Sequence, residues 1–311
     1  MPKVSVIMNC YNGEKYLREA IESVYAQTFN DWEIIFWDNA STDTTASIAN
    51  SYDHHLRYFK SESLTTLGVA RRSAVMQASG EWLAFLDCDD YWDPRKLEIQ
   101  IEALEGRDFV FCYAGIREIN SDNSVIREVI PRKFSGDILS KLLIQFDVNM
   151  VTPLIRRSAL FLYDLNFDKN ITASEEYNLF VRLAAKGPVL VLSEVLGTYR
   201  VLLGSLTNRQ ISEWSVERRY TLDQLKMENP GIETKYHYEF QEAYARGEYY
   251  RARYLISLGK IFESRVIMKS IANTRRYYQL LYFSLYVPGC WSLLHSKFFT
   301  KYTRNIFLKF L

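Results

Sequence analysis

The stretch Phe85-Leu86-Asp87-Cys88-Asp89-Asp90-Tyr91-Trp92 places three carboxylates within four positions, directly after the apolar run Trp82 to Leu86. A run of this length predicts a buried strand. Carboxylates this close repel one another, and a divalent cation relieves the repulsion. Because Mg²⁺ and Mn²⁺ bind one or two carboxylates together with phosphate oxygens, the stretch favours a metal and diphosphate site. The alternative is a solvated turn that caps a helix beginning at Pro94.

The composition is that of a globular protein with one large domain, or with one domain and a smaller one. The 311 residues are 48% hydrophobic and carry a formal net charge of +1, which argues against a polyanion-binding protein. The N-terminus leads directly into a strand pattern, so no signal peptide is expected. Four cysteines without metal-ligand spacing are interpreted as free thiols of a reducing cytoplasm: Cys10, Cys88, Cys112 and Cys290.

The first hundred residues alternate between strand and helix patterns. Val4 to Met8 and Trp32 to Trp37 are typical of buried parallel strands, and Tyr16 to Tyr25 has apolar residues at helical spacing. Another helix is expected from about Gly68 to Ala78. Such alternation predicts βαβ units and a mostly parallel sheet, whose right-handed crossovers place the carboxyl ends of the strands on one edge.

Polar loops follow the first two predicted strands, at Asn9 to Asn12 and at Asp38 to Asp43. Together with the acidic turn after Leu86, they are expected to form a cleft at the edge where open α/β sheets bind ligands. An acidic side chain in such a cleft can accept a hydrogen bond from a base or a ribose.

These motifs, in this order, resemble the nucleotide-sugar half of family 2 glycosyltransferases. The resemblance covers residues 3 to 105, with weaker matches to about 207. It implies the glycosyltransferase-A fold, a Rossmann-like, mostly parallel central sheet flanked by helices. The segments that carry it are Val4 to Asn12, Tyr16-Leu17, Ser23-Val24, Gln27-Thr28, Glu33-Ile34-Ile35, Asp38-x-x-Ser41-Thr42-Asp43, Gly80-Glu81 and Phe85-Leu86-Asp87-x-Asp89-Asp90.

The resemblance also implies a nucleoside-diphosphate sugar donor, often UDP-linked, a Mn²⁺ or Mg²⁺ ion and an inverting single displacement. It implies that Tyr11 stacks near the base, that Asp38 accepts from the base edge, and that Asp89 binds the metal directly with Asp87 near the ribose and metal. Arg71 could bind a phosphate with two hydrogen bonds, the alternative being a solvated helix residue. The expected donor-binding residues are Asn9, Tyr11, Asn12, Asp38, Arg71, Asp87, Cys88 and Arg200.

Three positions depart from the commonest family pattern. Asn9-Cys10 stands where Pro-Thr or Pro-Ser is usual, and Asp38-Asn39 where Asp-Asp is usual. The first change removes a possible hydroxyl contact to the base, and the second removes one charge. The identity of the nucleotide that binds is therefore left open. Leu202 stands where many members have a His in the closing loop, Tyr199 to Thr207. The side-chain ligand to metal or phosphate that a His would supply is therefore missing from that loop, and Arg200 is left as a candidate phosphate partner.

A second group of acids begins a helix pattern at Ala173-Ser174-Glu175-Glu176-Tyr177. As a structural alternative, Ser174 can cap this helix while both acids occupy its electropositive first turn. The family usually has Glu-Asp here with the second acid as catalytic base, so the resemblance makes Glu176 the candidate base and Glu175 its support. A base that takes the proton of the acceptor hydroxyl typically gives ~10²–10⁴-fold in rate.

From about residue 210 the pattern is helical. The expected domains are a catalytic domain at 1–208, with a nucleotide-sugar half at about 1–107 and an acceptor half at about 108–208, and a helical extension at 209–311. The acceptor half is expected to contain strands at Asp108 to Tyr113, Val189 to Leu192 and Leu196 to Arg200.

The segment Ser264 to Leu311 has no Asp or Glu and carries eight Lys or Arg residues among many aromatic ones. This favours peripheral binding to an anionic membrane surface, at the cytoplasmic face of the membrane. A helical homodimer face or core cover is the alternative. Pro288-Gly289 interrupts the run, so a spanning helix is not expected, and no nucleic-acid-binding motif is present.

The sequence therefore predicts a metal-dependent inverting glycosyltransferase that adds a sugar to a hydroxyl of a glycan or lipid-linked acceptor in surface polysaccharide synthesis. One alternative is a noncatalytic subunit that binds a nucleotide sugar. Another is a sugar-nucleotide nucleotidyltransferase, which would need a Gly-rich loop with Lys or Arg after the first strand. Asn9 to Gly13 lacks that pattern.

Overall fold

The protein consists of two units. The computed structural model describes residues 1–202 and 211–295, and the chain divides into Met1–Ser205 and Leu206–Leu311. The first unit carries a β-sheet, and the described part of the second is helical.

A nine-stranded mixed sheet organises the first unit. Its strands lie in the order β3-β2-β1-β4-β8-β6-β9-β5, with β7 beside β6. Parallel pairs join β1, β2, β3 and β4, whereas β8 is antiparallel to both β4 and β6. The strands are β1 (Val4–Cys10), β2 (Trp32–Asp38), β3 (Leu56–Lys60), β4 (Trp82–Phe85), β5 (Tyr91–Trp92), β6 (Phe111–Ile119), β7 (Val125–Val129), β8 (Leu154–Arg156) and β9 (Val189–Arg200).

Seven helices of the described residues connect or flank these strands in the first unit. The first, α1, buries Leu17, Ala20, Ile21 and Val24, the apolar stripe of an amphipathic helix. Strand β1 is buried along its whole length, as a strand paired on both sides inside a layered sheet must be. The helices are α1 (Leu17–Tyr25), α2 (Thr45–Ala49), α3 (Leu67–Val75), α4 (Lys96–Leu104), α5 (Leu139–Ile144), α6 (Arg157–Leu162) and α7 (Glu175–Ala184).

The strands differ from the sequence prediction in two respects, one in the acceptor half and one in the nucleotide-sugar half. The two strands expected between Val189 and Arg200 form one strand, β9, because its pairing with β6 continues through register shifts around Gly115. In addition, Tyr91 and Trp92 form the short strand β5, antiparallel to β9. This pairing holds the acidic turn beside the end of β9.

The second unit is a group of packed helices in its described part. Helix α10 is the longest, and it packs against α8 and α11. A separate apolar core forms around Tyr249, Ala252, Met268 and Tyr278. No helix in residues 1–202 and 211–295 is both long and apolar enough to span a bilayer. The helices are α8 (Trp214–Glu228), α9 (Ile232–Lys235), α10 (His237–Ser257), α11 (Ile261–Ile271), α12 (Arg276–Ser284) and α13 (Cys290–Leu294).

Lys96, at the start of α4, lies inside the first unit with no exposed surface. Its ammonium donates to Gln100 Oε1 at 2.7 Å and lies 4.2 Å from the centre of the Trp92 ring. Burial lowers the pKa of Lys96 from 10.5 to about 7, because the charged form has lost its water.

Replacing Lys96 with Met is expected to stabilise the protein, and more at about pH 7 than at about pH 9. Between the lowered pKa and the unfolded value of ~10.4, the unfolded chain binds more protons than the folded one. The free energy of unfolding of the wild type therefore rises with pH, by up to about 1.4 kcal/mol per pH unit. Thermal unfolding of both proteins at the two pH values measures the difference. A difference that does not change with pH would show that Lys96 stays charged in the fold.

Candidate active site

The carboxyl ends of β1, β2 and β4 lie at one edge of the sheet. Cys10 of β1 is in register with Asp38 of β2. On the other side of β1, the backbone N–H of Leu86 donates to the Ile7 carbonyl at 3.0 Å, one residue beyond the last pair with β4. The three polar loops predicted from the sequence therefore follow neighbouring strands and begin at the same edge.

The first two loops are hydrogen-bonded to each other. The N–H of Asn12 donates to Ser41 Oγ at 3.0 Å, and Asn12 Oδ1 accepts from the N–H of Thr42 at 2.9 Å. Asn12 has a φ of 53°, a left-handed conformation that Asn tolerates better than most residues. Asn12 thus shapes the loop with its amide oxygen.

Asp38 is completely buried. Its Oδ1 accepts from the N–H of Ser41 at 2.7 Å, and its Oδ2 accepts from the Tyr58 hydroxyl at 2.6 Å. Asp38 therefore links the loop after β2 to Tyr58 of β3. Its contact with a base edge stays a prediction, and the neighbouring Asn39 is bonded to the loop at Thr65.

Asn9 and Tyr11 have the character of ligand-binding residues. Asn9 is 6% exposed, and neither polar atom of its side-chain amide has a hydrogen-bond partner among the described residues. A buried polar group left unpaired costs about 1–3 kcal/mol, which a polar ligand would recover. Tyr11 is 47% exposed, so its ring has surface on which a planar group can stack.

The three acids after β4 have different surroundings. Asp90 is buried, and its Oδ1 accepts from the N–H of Arg200 at 2.8 Å. Both oxygens of Asp87 accept from Arg71. No side chain among the described residues is bonded to the Asp89 carboxylate. Burial and the charge of Asp87 raise the pKa of Asp89 to about 6.

This acid set fits a divalent cation. The repulsion that raises the pKa of Asp89 is the kind that a doubly charged ion removes. Asp89 has oxygens left for coordination, and carboxylate oxygens are the preferred ligands of Mg²⁺ and Mn²⁺. Asp89 would hold the ion, with Asp87 beside it.

Arg71 joins the acidic turn to the second group of acids. Its Nη2 donates to Asp87 Oδ1 and Oδ2 at 2.9 and 3.0 Å, and its Nη1 donates to Glu175 Oε1 at 3.0 Å and Glu176 Oε1 at 3.2 Å. The side chain is 2% exposed, so the alternative of a solvated helix residue is wrong. Residues separated by more than a hundred positions in sequence meet at this guanidinium.

Glu175 and Glu176 begin α7, and they differ in exposure. Ser174 occupies the N-cap without a side-chain capping bond. The Glu175 side chain is 4% exposed and that of Glu176 is 30% exposed. Burial and the neighbouring Glu176 charge raise the pKa of Glu175 to about 8, against the opposing effect of Arg71. Glu176 is the more accessible of the two acids.

Arg200 is engaged within the protein at every nitrogen of its guanidinium. Nε donates to the Asp89 carbonyl at 3.0 Å, Nη2 to Glu19 Oε2 at 2.7 Å, and Nη1 to Asn123 Oδ1. Its guanidinium carbon lies 4.2 Å from the centre of the Tyr16 ring. The side chain is 1% exposed, and Arg200 positions the acidic turn here, while its contact with a phosphate stays a prediction.

Cys88 lies against Cys10, the neighbouring residue at the end of β1. The interaction with the Cys10 thiol, together with burial, raises the pKa of the Cys88 thiol well above its usual range. A Cβ added to Gly13 would lie 2.3 Å from Cys10 Sγ and 2.9 Å from Cys88 Sγ. Both sulfur atoms therefore occupy the space that a side chain at position 13 would need.

Two further parts of the sequence prediction concern the closing loop and the histidines. In the predicted closing loop, Tyr199 to Thr207, residues 203–207 lie outside the described residues. His54 and His55, interpreted from the sequence as surface or packing residues, lie with Asp53 so that one potential ligand atom of each is within 4.8 Å of the others. The Asp53 carboxylate already accepts from the Tyr25 hydroxyl and the His55 backbone, and this group is remote in sequence from the acidic turn.

Comparison with known proteins identifies the class. Residues 5–161, about half of the chain, match the family model described as Glycosyl transferase family 2. The chain belongs to this family, as its motifs predict.

Its relatives include enzymes of polysaccharide synthesis. WfgD of Escherichia coli, named UDP-Glc:alpha-D-GlcNAc-diphosphoundecaprenol beta-1,3-glucosyltransferase, is 28% identical over 230 residues, covering 73% of this chain and 87% of that protein. TuaG of Bacillus subtilis, named a putative teichuronic acid biosynthesis glycosyltransferase, is 29% identical over 224 residues, covering 70% and 85%. An uncharacterized glycosyltransferase of Rickettsia felis is 31% identical over 217 residues, which are 69% of this chain but 35% of the relative. The chain thus spans about a third of the length of that relative and of a similar one from Rickettsia conorii.

Solved structures share the fold. TarS 1-349 of S. aureus in complex with UDP-GlcNAc has a TM-score of 0.58 and 18% identity, covering 94% of this chain and 91% of that one. The mannosyltransferase PcManGT of Pyrobaculum calidifontis, in complex with GDP-Man and Mn²⁺, has a TM-score of 0.55 and 14% identity, covering 94% and 86%. The mixed sheet with flanking helices is that of glycosyltransferases of the A type, which confirms the predicted fold class.

Proposed function

We propose that this chain is an inverting glycosyltransferase that moves a sugar from a nucleoside-diphosphate sugar to a hydroxyl group of a glycan or lipid-linked acceptor. The observation that carries the proposal is the Arg71 contact, which brings the acidic turn of the predicted donor site next to Glu176 of α7. In a single displacement, the leaving group departs from one face of the anomeric carbon while the acceptor hydroxyl, helped by a base, attacks the opposite face. Asp87, beside the candidate metal ligand, and Glu176, the candidate base, both bind the guanidinium of Arg71.

A UDP-linked donor is the first candidate. The name of the E. coli relative includes UDP-Glc, and the TarS structure contains UDP-GlcNAc. In this chain, Tyr11 offers an exposed ring and Asn9 an unpaired amide for the nucleotide. We propose that Tyr11, Asn9 and the loop that Asn12 and Asp38 shape bind the nucleobase. Asp38 acts through that loop.

The reaction is assigned to the residues as follows. Asp89, with Asp87, would hold a Mn²⁺ or Mg²⁺ ion, which when bound offsets negative charge on the departing diphosphate. Glu176 accepts the proton of the acceptor hydroxyl as its oxygen attacks the anomeric carbon. Burial and the neighbouring Glu176 charge raise the pKa of Glu175 and so favour its neutral form, which makes the positive charge of Arg71 available to Asp87 and Glu176.

Release of nucleoside diphosphate tests the proposal. UDP- and GDP-sugars would be incubated with the protein and a polyprenyl-diphosphate-linked sugar, with and without Mn²⁺. Acceptor-dependent release of one nucleotide supports a transferase. Donor binding with no release under any condition would favour a noncatalytic subunit, and release of pyrophosphate from a sugar phosphate and a nucleoside triphosphate would favour a nucleotidyltransferase.

Asp89→Ala is expected to abolish Mn²⁺-dependent donor binding, because the diphosphate loses the ion that bridges it to the protein. In the wild type, Mn²⁺ affinity should fall as the pH drops below about 6, since a proton then competes for the Asp89 carboxylate. Calorimetric titration with UDP, with and without Mn²⁺, measures both. Affinity that neither EDTA nor the substitution changes would remove Asp89 from the site.

Glu176→Gln is expected to leave donor binding within about twofold and to reduce turnover by ~10²–10⁴-fold, the usual contribution of a general base. Glu175→Gln is the matched control. Because Glu175 is buried and its pKa is raised by that burial, whereas Glu176 is accessible, the amide replacement of Glu175 should cost less than the replacement of Glu176. Steady-state rates and donor affinities of both variants test this assignment. A larger loss of turnover in Glu175→Gln than in Glu176→Gln would make Glu175 the base and Glu176 its support.

We further propose that residues 264–311 bind an anionic membrane surface at the cytoplasmic face, where a lipid-linked acceptor would be met. In the described part of this segment, apolar Val266 and Phe283 are exposed, and so are basic Lys269 and Arg276. Two basic residues of the segment serve the fold instead: Arg265 donates to the Leu285 carbonyl and Arg275 pairs with Glu242.

Because α12 contributes Tyr278 and Leu281 to the core of the second unit, the membrane test should keep it. Deleting residues 296–311 and changing Lys269 and Arg276 to Gln should release the protein from vesicles containing phosphatidylglycerol, each lost basic residue removing ~1 kcal/mol. Vesicle sedimentation measures this, with pure phosphatidylcholine as control. Unchanged sedimentation, with a dimer in solution, would favour the homodimer face.

A further inference from the structure

We propose that Arg71 is the internal counterion of the donor site: it positions Glu176 and competes with the divalent cation for Asp87. The inference rests on the proposed function in that it requires a cation at the acidic turn. It assigns Arg71 a role between the two groups of acids, in place of the direct phosphate contact expected from the sequence.

Arg71 is buried, and its hydrogen bonds are made to protein carboxylates. Its guanidinium is 2% exposed and makes four hydrogen bonds to three carboxylates, using both oxygens of Asp87 and one oxygen each of Glu175 and Glu176. These acids come from the turn after β4 and from the start of α7, while Arg71 lies on α3. A single side chain therefore sets the distance between the two chemical groups of the site.

The charges make the contacts interdependent. One positive charge, on a buried guanidinium, is shared among acids that repel one another, and its Coulomb interactions are stronger there than in bulk water. A cation bound by Asp87 and Asp89 would draw Asp87 away from Arg71, and the guanidinium would then interact more strongly with Glu176. By thermodynamic reciprocity, whatever strengthens the hold of Arg71 on Asp87 weakens cation binding.

Two substitutions separate the charge of Arg71 from its shape. Lys keeps the charge but is a point donor, so it cannot reproduce the fork that reaches both groups of acids. Gln removes the charge. Arg72 provides a matched control, because it is the next residue of the same helix, is exposed, and donates to the Phe167 carbonyl rather than to an acid.

The experiment measures Mn²⁺ affinity by electron paramagnetic resonance of the free ion, with no donor or acceptor present. Arg71→Gln should bind Mn²⁺ about tenfold more tightly than the wild type, a coupling within the usual range. Arg71→Lys should bind it within about threefold of the wild type but turn over about a hundredfold more slowly, since misplacing a reacting group by about 1 Å costs that much. Arg72→Gln should match the wild type in both respects.

Mn²⁺ affinity that is unchanged or weaker in Arg71→Gln would overturn the inference, even if nucleotide release by the wild type upholds the proposed function. The absence of Mn²⁺ binding by the wild type would overturn it as well, and the release assay would then judge the proposed function separately. If Arg71→Gln does not fold, the double variant Arg71→Gln, Glu175→Gln removes a buried acid together with its partner, and the same tightening of Mn²⁺ binding is required of it.

Discussion

The site depends on one buried guanidinium that compensates three acids. Without Arg71, the buried Glu175 would lose its cationic partner, and the partly exposed Asp87 and Glu176 would repel one another without compensation. With Arg71, the same acids are held in fixed positions by charge-assisted hydrogen bonds. The fold provides the setting, because α3, the end of β4 and the start of α7 must meet for one side chain to reach all three partners.

A second buried arginine, Arg200, fixes the backbone of the acidic turn. Arg200, at the end of β9, binds the Asp89 carbonyl, and its own N–H binds the Asp90 carboxylate. Glu19 of α1 and Asn123 of the β6–β7 turn complete its contacts. The acidic turn is thus fixed through its main chain, which leaves the Asp89 carboxylate available for a ligand. The strand pair β5–β9 supports the same turn from its far end.

The order of elements in the nucleotide-sugar half and the position of its polar loops could be predicted from the sequence, because strand runs such as Val4 to Met8 and the acids that follow them are local patterns. The partners of those acids could not. Arg71 meets Glu176 across more than a hundred residues, and Tyr58 reaches Asp38 from a different strand. Nor does any local pattern distinguish Asp38, whose two oxygens accept hydrogen bonds from Ser41 and Tyr58, from Asp89, whose carboxylate is bonded to no other side chain in the part of the chain that the structure describes. The contacts of both arginines could not be predicted for the same reason, since a long cationic side chain shows nothing in sequence of what surrounds it.

The packing of Gly13 against two sulfur atoms limits how this loop can vary. The space for a methyl group at position 13 is already filled from both sides, by Cys10 and by Cys88. The volumes at these three positions are therefore linked, and a larger residue at 13 requires smaller ones at 10 and 88. The identity of the residue inside the acidic turn is thus set partly by steric fit with the first loop, independently of any chemistry that the turn performs.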